Sequence, residues 1–253
     1  LVDELVSTVA LADMWIVAGR PTAAARLYSA AIARAHTPGT WRAATALHIG
    51  ASQMAVGAAD LHAARHHLEQ AAELADAAGI GESAARLHVA RADLAAAEGE
   101  FAVALAELDD AGDLHRPGFL PDVRPIDAIA ARVLIRSGDL HAARERADKA
   151  ARRRDRSPYL REYDVLTIAR LEIAEHQSTG DSAALRRAAE IVDQLSAAAR
   201  EQNRLGSALE IGILSSAVRV LESDIGGAVD VLGKAIDAVD DPLSYASSIA
   251  EFG

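Results

Sequence analysis

The sequence predicts an all-α fold, a superhelical solenoid of about six helical hairpins, from three observations. Alanine dominates the apolar residues, which make up 51% of the chain, whereas aromatic residues make up only 4%. Such small side chains let helices pack closely, and alanine favours helix over strand. The hexapeptide Asp-Leu-His-Ala-Ala-Arg occurs at residues 60–65 and again at 139–144. Finally, small turn residues recur at a nearly constant spacing.

The recurring turns divide the chain into six units. Successive turns are 40, 40, 39, 42 and 43 residues apart, and they lie at Gly19, Ala59, Gly99, Gly138, Gly180 and Ser223. An apolar, alanine-rich run precedes each turn, as at residues 87–97 and 126–135, and a second run follows it. In the second unit the following run has the spacing of one helix face, at Leu61, Ala64, Leu68, Ala71 and Ala75. Because a small residue permits a left-handed or tight backbone, each unit is predicted to be a helical hairpin.

Proline and glycine mark the breaks between units. They occur at 38–39, 79–81, 117–118, 121, 125 and 158. One hairpin cannot bury both of its apolar faces, so we expect neighbouring hairpins to stack into a single domain over residues 1–253. The Gly-Asp-Leu turn followed by Ala is of the tetratricopeptide type, although its unit is longer than the usual length of about 34 residues. Armadillo and HEAT repeats have a similar length and are the structural alternative.

Composition and charge exclude several classes of protein. The chain has no run of about 18 apolar residues, and its first residues include the acidic Asp3 and Glu4, so we expect a cytoplasmic protein without a membrane partner. The absence of cysteine excludes disulfides and thiol nucleophiles. A net charge of -11 opposes direct binding of nucleic acid. Because the sequence starts at Leu1, we expect it to be a fragment of a larger protein.

Two glycine-rich segments have the appearance of nucleotide-binding motifs. Residues 79–84 have the glycine spacing of a dinucleotide fingerprint, but a helix and not a strand is predicted before them. We interpret them as a helix-ending linker. Residues 226–234 superficially resemble a phosphate-binding loop, but Ala235 follows Lys234 where that loop needs Ser or Thr, so a helix is predicted there. No cofactor is expected at either segment.

Histidines and basic residues form two further candidate clusters. His62 and His66 could share a helix face near His67 and Glu69, but one helix rarely supplies the four ligands of a structural zinc site, so exposed histidines are expected. Between 144 and 161 the eight basic residues exceed the three acidic ones by five. This excess fits either a docking patch for an acidic partner or arginines that complement helix C-termini.

A binding site is predicted on the first helix of each hairpin. Neither a nucleophilic serine elbow, nor a His-Glu-x-x-His helix, nor a paired-carboxylate setting is found, so binding rather than catalysis is expected. Polar residues recur six positions before the aligned turns, at Asp13, Gln53, Asp93 and Arg132, and Arg170 lies nearby in the fifth unit. If first helices line the concave surface, these residues can bind a polyhydroxylated or peptide ligand. Alternatively, they cap, pair or solvate the groove.

The segment at residues 159–170, Tyr-Leu-Arg-Glu-Tyr-Asp-Val-Leu-Thr-Ile-Ala-Arg, resembles part of the helical-repeat region in MalT-type activators. These are the large, ATP-dependent members of the LuxR family. Residues 19–32, 60–79 and 204–236 agree with that region in order, and residues 245–253 are similar to the stretch that joins it to the output domain.

This resemblance implies a bacterial signal-transduction regulator with an upstream ATPase and a downstream helix-turn-helix domain. The repeat region would then sense a small-molecule or peptide inducer and relay its binding. A similar region also occurs fused to serine/threonine kinases. The rival hypothesis is a scaffold of the same repeat type that binds a peptide or a partner domain.

The acidic charge balance generates a test of the nucleic-acid exclusion. The chain should show no sequence-selective binding to a DNA duplex at physiological salt, because its net charge of -11 repels the phosphate backbone. Fluorescence anisotropy with a random and a palindromic duplex measures this. Saturable binding to one duplex with a nanomolar Kd would contradict the expectation.

Overall fold

In the computed structural model the chain folds into pairs of antiparallel α-helices. The structure describes residues 2–35, 37–78, 83–115, 124–152, 158–201 and 204–246. Within these ranges it has twelve α-helices, two short 3-10 helices and no strand, so the all-α prediction is confirmed. None of the helices described there is long and apolar enough to cross a membrane.

The helices alternate with the predicted turns. Their bounds are α1 Val2–Val17, α2 Pro21–Ile32, α3 Trp41–Gly57, α4 Leu61–Ala78, α5 Ala84–Ala97, α6 Phe101–Leu114, α7 Ile126–Ser137, α8 Leu140–Ala151, α9 Pro158–Thr179, α10 Ser182–Glu201, α11 Leu205–Leu221 and α12 Ile225–Asp237. The 3-10 helices span Pro38–Thr40 and Pro242–Tyr245. The tract at 226–234 lies within α12, as predicted. Of the other glycine-rich segment, residues 79–82 lie outside the described ranges.

All six turn residues have the left-handed backbone that the sequence predicts. Their φ angles are 72° at Gly19, 59° at Ala59, 83° at Gly99, 85° at Gly138, 75° at Gly180 and 67° at Ser223. At Gly138 the turn N–H donates to Ile135, and the following N–H donates back to Leu134 at 3.0 Å. These bonds satisfy the last carbonyl groups of the first helix.

The aspartate after several turns starts the second helix. The Oδ1 atom of Asp60 accepts a hydrogen bond from the backbone N–H of Ala63 at 3.0 Å, and Asp139 accepts one from Ala142 at 3.0 Å. Asp224 accepts the equivalent bond from Gly227 at 2.9 Å. Such a cap satisfies a helix N–H that has no partner within the helix. The repeated hexapeptide therefore encodes a turn and a cap.

Above the level of the six repeats, the described helices form two compact units, which are called the first unit and the second unit. The first comprises Leu1–His115 together with the chain from Val239 onward, and the second comprises Arg116–Ala238. In the first unit, Leu5, Tyr28 and Leu47 belong to one core cluster, and Leu68 and Leu87 belong to a second. The single domain over residues 1–253 stays a prediction.

The last described segment packs within the first unit, against the end of α1. The N–H of Asp240 donates to the carbonyl of Gly19 at 3.2 Å, and the hydroxyl of Tyr245 donates to the carbonyl of Ile16 at 3.2 Å. A Cβ on Gly57 would lie 2.9 Å from the carbonyl oxygen of Ser244. The glycine in α3 therefore permits this close approach.

The second unit contains α7 to α12, and its first helices α7, α9 and α11 contact one another in that order. Large apolar side chains fill the core, including Leu171, Ile173, Leu209, Ile211 and Leu214. Helix α9 is unusual because it also buries Glu162, Asp164, Thr167, Arg170 and Glu172. With 22 residues it is also much longer than the 12-residue α7.

The turn geometry generates a test with substitutions of opposite effect. Ala59→Gly should raise the free energy of unfolding by about 1 kcal/mol, because glycine adopts a positive φ without the penalty of a Cβ. Gly138→Ala should lower it by about the same amount, and only through the backbone, since nothing lies within 4 Å of the added Cβ. Chemical denaturation measures both values. A loss of stability in Ala59→Gly would contradict this account of the turns.

Candidate ligand-binding site

Two of the predicted binding residues meet between first helices of the first unit. The amide Nε2 of Gln53 in α3 donates to Oδ2 of Asp93 in α5 at 3.2 Å, and both side chains are half-buried. These residues are 40 positions apart, so the structure brings together the equivalent positions of consecutive repeats. The register count therefore identified neighbours in space.

Asp13 has a different kind of neighbour. Its Oδ1 accepts a hydrogen bond from the hydroxyl of Tyr28 at 3.0 Å, which joins α1 to α2 within the first hairpin. Burial, and then the charge of Asp13, raise the pKa of Tyr28, so the phenol stays protonated and remains a donor. A Cβ on Gly50 would lie 2.4 Å from the Tyr28 hydroxyl, so the glycine makes room for it.

In the second unit, Arg132 and Arg170 converge on one carboxylate that the sequence analysis missed. Glu210 in α11 has Oε1 at 2.9 Å from Nη1 of Arg132, which lies in α7. The same oxygen accepts a hydrogen bond from Nε of Arg170 in α9 at 3.1 Å. Glu210 therefore links three successive first helices.

An aromatic ring and a hydroxyl complete this cluster. The guanidinium carbon of Arg132 lies 3.6 Å from the ring centroid of Tyr163, a close cation–π contact. Nε of Arg132 also donates to Oγ1 of Thr167 at 2.8 Å. Arg132, Tyr163, Thr167, Arg170 and Glu210 together form the α9 network.

The charges of the α9 network determine the ionisation of Glu210. Burial alone would raise the pKa of this carboxyl, because a low-dielectric interior disfavours charge. The guanidinium groups of Arg132 and Arg170 outweigh burial and lower the pKa to about 2. The side chain keeps 22% of its exposed area, whereas Arg170 keeps 5%. Glu210 is therefore a carboxylate at neutral pH.

A second ion pair lies on the same helix. Glu162 of α9 pairs with Arg204, the residue before α11, and both side chains are nearly buried. The α9 network and this ion pair together offer guanidinium groups as donors, carboxylates as acceptors, a hydroxyl and a phenol ring. These groups suit recognition of a polar ligand through directional hydrogen bonds.

One sequence feature could have pointed to the residues that were missed. The segment at 159–170, which carries the resemblance, contains three residues of the α9 network, namely Tyr163, Thr167 and Arg170. Buried polar residues on an otherwise core-facing helix need a partner in space. Glu210 itself lies off the register count, since it is 13 residues before its turn at Ser223. The binding role of the five predicted residues stays a prediction.

Three basic residues of the stretch at 144–161 are paired with acids. Arg144 in α8 contacts Glu175 at 2.6 Å and Glu172 at 3.0 Å, and both acids lie in α9. Arg146 and Lys149 share Oδ1 of the buried Asp127 at 3.1 and 3.0 Å. The basic residues at 153, 154 and 156 lie outside the described ranges.

The histidines of α4 have different environments. His62 and His66 are exposed, whereas His67 is half-buried with its Nδ1 3.0 Å from Nδ1 of His48. Burial and then the nearby His67 lower the pKa of His48 to about 4, so His48 is neutral at pH 7. Among the described residues, no group of three or more His, Cys, Asp or Glu side chains is arranged to hold a metal ion.

A cavity of about 620 Å³ lies in the second unit beside the turns that follow α7 and α9. It is open to solvent and its lining residues are Gly138, Asp139, Leu140, His141, Arg144, Glu175, Ser178, Thr179 and Asp181. The paired Arg144 and Glu175 side chains already engage each other along its wall. It is separate from the residues predicted from the register count.

The ionisation of Glu210 generates a test of the α9 network. Glu210→Gln should lower the free energy of unfolding at pH 7 by about 3 kcal/mol, since it removes the anion that pairs with the buried guanidinium of Arg170 and the partly buried one of Arg132. Because folding lowers the pKa from 4.5 to about 2, the carboxylate contributes its full stability above pH 4.5 and loses it as the pH falls toward 2. Denaturation curves between pH 7 and 2 measure both effects.

The matched control for this test is Glu190→Gln, an exposed residue of α10. It should leave the pH dependence of stability unchanged. If Glu210→Gln were as stable as the natural chain at pH 7, the network would contribute no net stability.

The sequence as a whole also matches a known family. The match is to a family profile, since no curated protein shows significant similarity to the chain. The family profile described as the MalT-like TPR region matches residues 1–244, which is nearly the whole sequence. The tetratricopeptide-like fold and the resemblance inferred from residues 159–170 are thereby confirmed. The chain belongs to the MalT-like TPR region family.

Proposed function

We propose that this chain is the ligand-sensing and protein-interaction region of a bacterial, ATP-dependent regulator of the LuxR/MalT type. The observation that carries the proposal is the α9 network, in which Glu210 links Arg132 and Arg170 across three first helices. The family, a MalT-like TPR region, fits a sensor or interaction region. The chain binds rather than catalyses, in keeping with a repeat domain of this type.

The chemistry of the two polar clusters supports a polar ligand. A repeat interface needs only apolar side chains, whereas each buried charge carries a desolvation cost. The second unit nevertheless retains two arginines, a carboxylate and a phenol ring, and the first unit retains the Gln53–Asp93 pair. Such groups bind hydroxyl, amide or carboxylate groups of a sugar or a peptide through donors and acceptors in fixed positions.

The same geometry suggests how binding is relayed. Arg132, Arg170 and Glu210 lie on α7, α9 and α11, so a ligand group that replaces one of their contacts changes the packing between these helices. A ligand shifts a conformational equilibrium only by its differential affinity for the two states. In the parent protein we propose that this shift acts on an ATPase domain and a helix-turn-helix output domain in the cytoplasm.

A thermal-shift screen with malto-oligosaccharides, other sugars, metabolites and short peptides tests the proposal. A ligand that binds only the folded state raises the apparent Tm. Asp93→Ala tests the cluster in the first unit, and Arg132→Ala tests the cluster in the second unit. The double variant should abolish the shift while the circular dichroism spectrum remains helical, since Arg170 still pairs with Glu210.

The matched control is Arg186→Ala with Glu190→Ala, which removes one base and one acid from the exposed face of α10. This control should retain the full shift. If the Asp93 and Arg132 double variant also retains it, the ligand binds elsewhere and the first-helix site is wrong. Stabilisation by peptides alone, with no small molecule active, would favour a scaffold or a kinase-linked interaction domain.

A further inference from the structure

The cavity of about 620 Å³ in the second unit corresponds in register to a place in the first unit that the chain itself fills. The cavity lies across two consecutive turns, and its wall includes the turn residue Gly138 and Ser178, which is two residues before the next turn. In the first unit the equivalent positions are Gly19, a turn residue, and Gly57, which is two residues before the turn at Ala59. Both of these positions contact a later part of the chain.

Residues 239–246, which we name the docked segment, make those contacts. The N–H of Asp240 donates to the carbonyl of Gly19 at 3.2 Å. A Cβ on Gly57 would lie 2.9 Å from the carbonyl oxygen of Ser244. The docked segment therefore shows how a peptide fits between two consecutive hairpin turns of this chain, through contacts of its main chain.

The docked segment holds its conformation largely by local bonds. It contains the 3-10 helix that begins at Pro242. The Oδ1 atom of Asp241 accepts a hydrogen bond from the N–H of Leu243 at 3.2 Å, and Oδ2 accepts one from the hydroxyl of Ser244 at 2.8 Å. A proline at the first position and an aspartate cap fix the start of the helix. A short peptide with this pattern is therefore partly ordered before it binds, which lowers the entropy cost of binding.

The cavity of the second unit offers main-chain and hydroxyl groups at the equivalent positions. The carbonyl of Gly138 accepts the N–H of Leu140 at 3.1 Å, and a carbonyl oxygen has a second lone pair for a peptide N–H. Ser178 has an exposed side chain where Gly57 has none. A peptide must therefore lie farther from α9 than the docked segment lies from α3, and the Ser178 hydroxyl can donate to its carbonyl groups.

The charge of the cavity differs from that of the equivalent place in the first unit. The residue after the turn is Arg20 in the first unit, where the docked segment carries acids at 240 and 241. In the second unit the same position is Asp139. Three acids and one arginine line the cavity, namely Asp139, Glu175, Asp181 and Arg144. The acidic wall opposes a peptide with the charge of the docked segment and favours one with a basic side chain.

We propose that this cavity binds a short basic peptide of a partner protein, in the way that the docked segment binds between the first two turns. The peptide carries Lys or Arg at the position where the docked segment carries Asp240. The proposal rests on the protein-interaction part of the proposed function and not on the first-helix ligand site. The two sites can therefore be tested separately.

Fluorescence anisotropy with the full chain and two labelled peptides tests the proposal. The probe is Val-Lys-Asn-Pro-Leu-Ser-Tyr-Ala, which is the docked segment with its first aspartate replaced by lysine and its second by asparagine. Asparagine caps a helix about as well as aspartate does. The control peptide is Val-Asp-Asn-Pro-Leu-Ser-Tyr-Ala. At physiological salt the lysine peptide should bind about tenfold more tightly, because the acidic wall attracts one peptide and repels the other.

A substitution in the cavity wall should remove the binding. Ser178→Arg places a long cationic side chain in the cavity, and its exposed position lets the helix remain folded. The affinity for the lysine peptide should fall by about tenfold or more, through both bulk and charge repulsion. The matched control is Gln177→Arg, which adds the same charge at an exposed neighbour outside the cavity wall. This control should bind the peptide like the natural chain.

A second pair of variants tests the charge preference alone. Asp139→Asn keeps a capping side chain for α8 but removes one acid from the wall. The preference for the lysine peptide over the aspartate peptide should fall by about fivefold. Asp60→Asn is the matched control, because Asp60 caps α4 in the same way in the first unit. It should leave the preference unchanged.

Four outcomes would overturn the proposal. They are a lysine peptide that does not bind below about 1 mM, equal affinity for both peptides, full binding by Ser178→Arg, and an unchanged preference in Asp139→Asn. The Asp93→Ala and Arg132→Ala double variant separates the two sites, since it should keep full peptide binding. If it loses the peptide while Ser178→Arg retains it, the peptide lies on the first helices, and only the proposed function stands.

Discussion

The left-handed residue at each hairpin turn is the constraint on which the repeats depend. It reverses the chain in a few residues, so the second helix lies antiparallel on the first. Four of the six turns use glycine, but Ala59 and Ser223 adopt the same conformation with a Cβ present. The surrounding helix packing supplies the free energy for that strain. The spacing of the turns then fixes which residues of successive first helices come together.

Once the turns align the helices, small side chains determine how closely they approach. Gly212 illustrates this, because a Cβ there would lie 2.4 Å from the Cβ of Ala235 in the facing helix of its hairpin. Alanine is the most frequent of the buried apolar residues. Interfaces made of glycine and alanine are alike along the chain. Polar contacts are therefore what distinguishes one repeat interface from another. The α9 network and the Arg144–Glu175 pair are two such distinguishing contacts.

The sequence predicts the hairpins well because turn residues and helix periodicity are local properties. The register count also selected Gln53 and Asp93, which the structure places in contact and which stand 40 residues apart in consecutive repeats. It could not identify Glu210, because Glu210 lies 13 residues before its turn whereas its partner Arg132 lies six before its own, so the two are displaced from one another in the register. Which carboxylate meets which guanidinium depends on that displacement, and a count from each turn does not contain it.

The contact of Tyr245 with Ile16 joins residues that are 229 positions apart. Neighbouring hairpins close loops of modest length and can form early, whereas this contact closes almost the whole chain. Residues 116–238 thus form an insertion between two segments of the first unit. During synthesis, that unit cannot acquire its last contacts until the second unit has left the ribosome. Completion of the first unit is therefore a late step, whereas its individual hairpins form early.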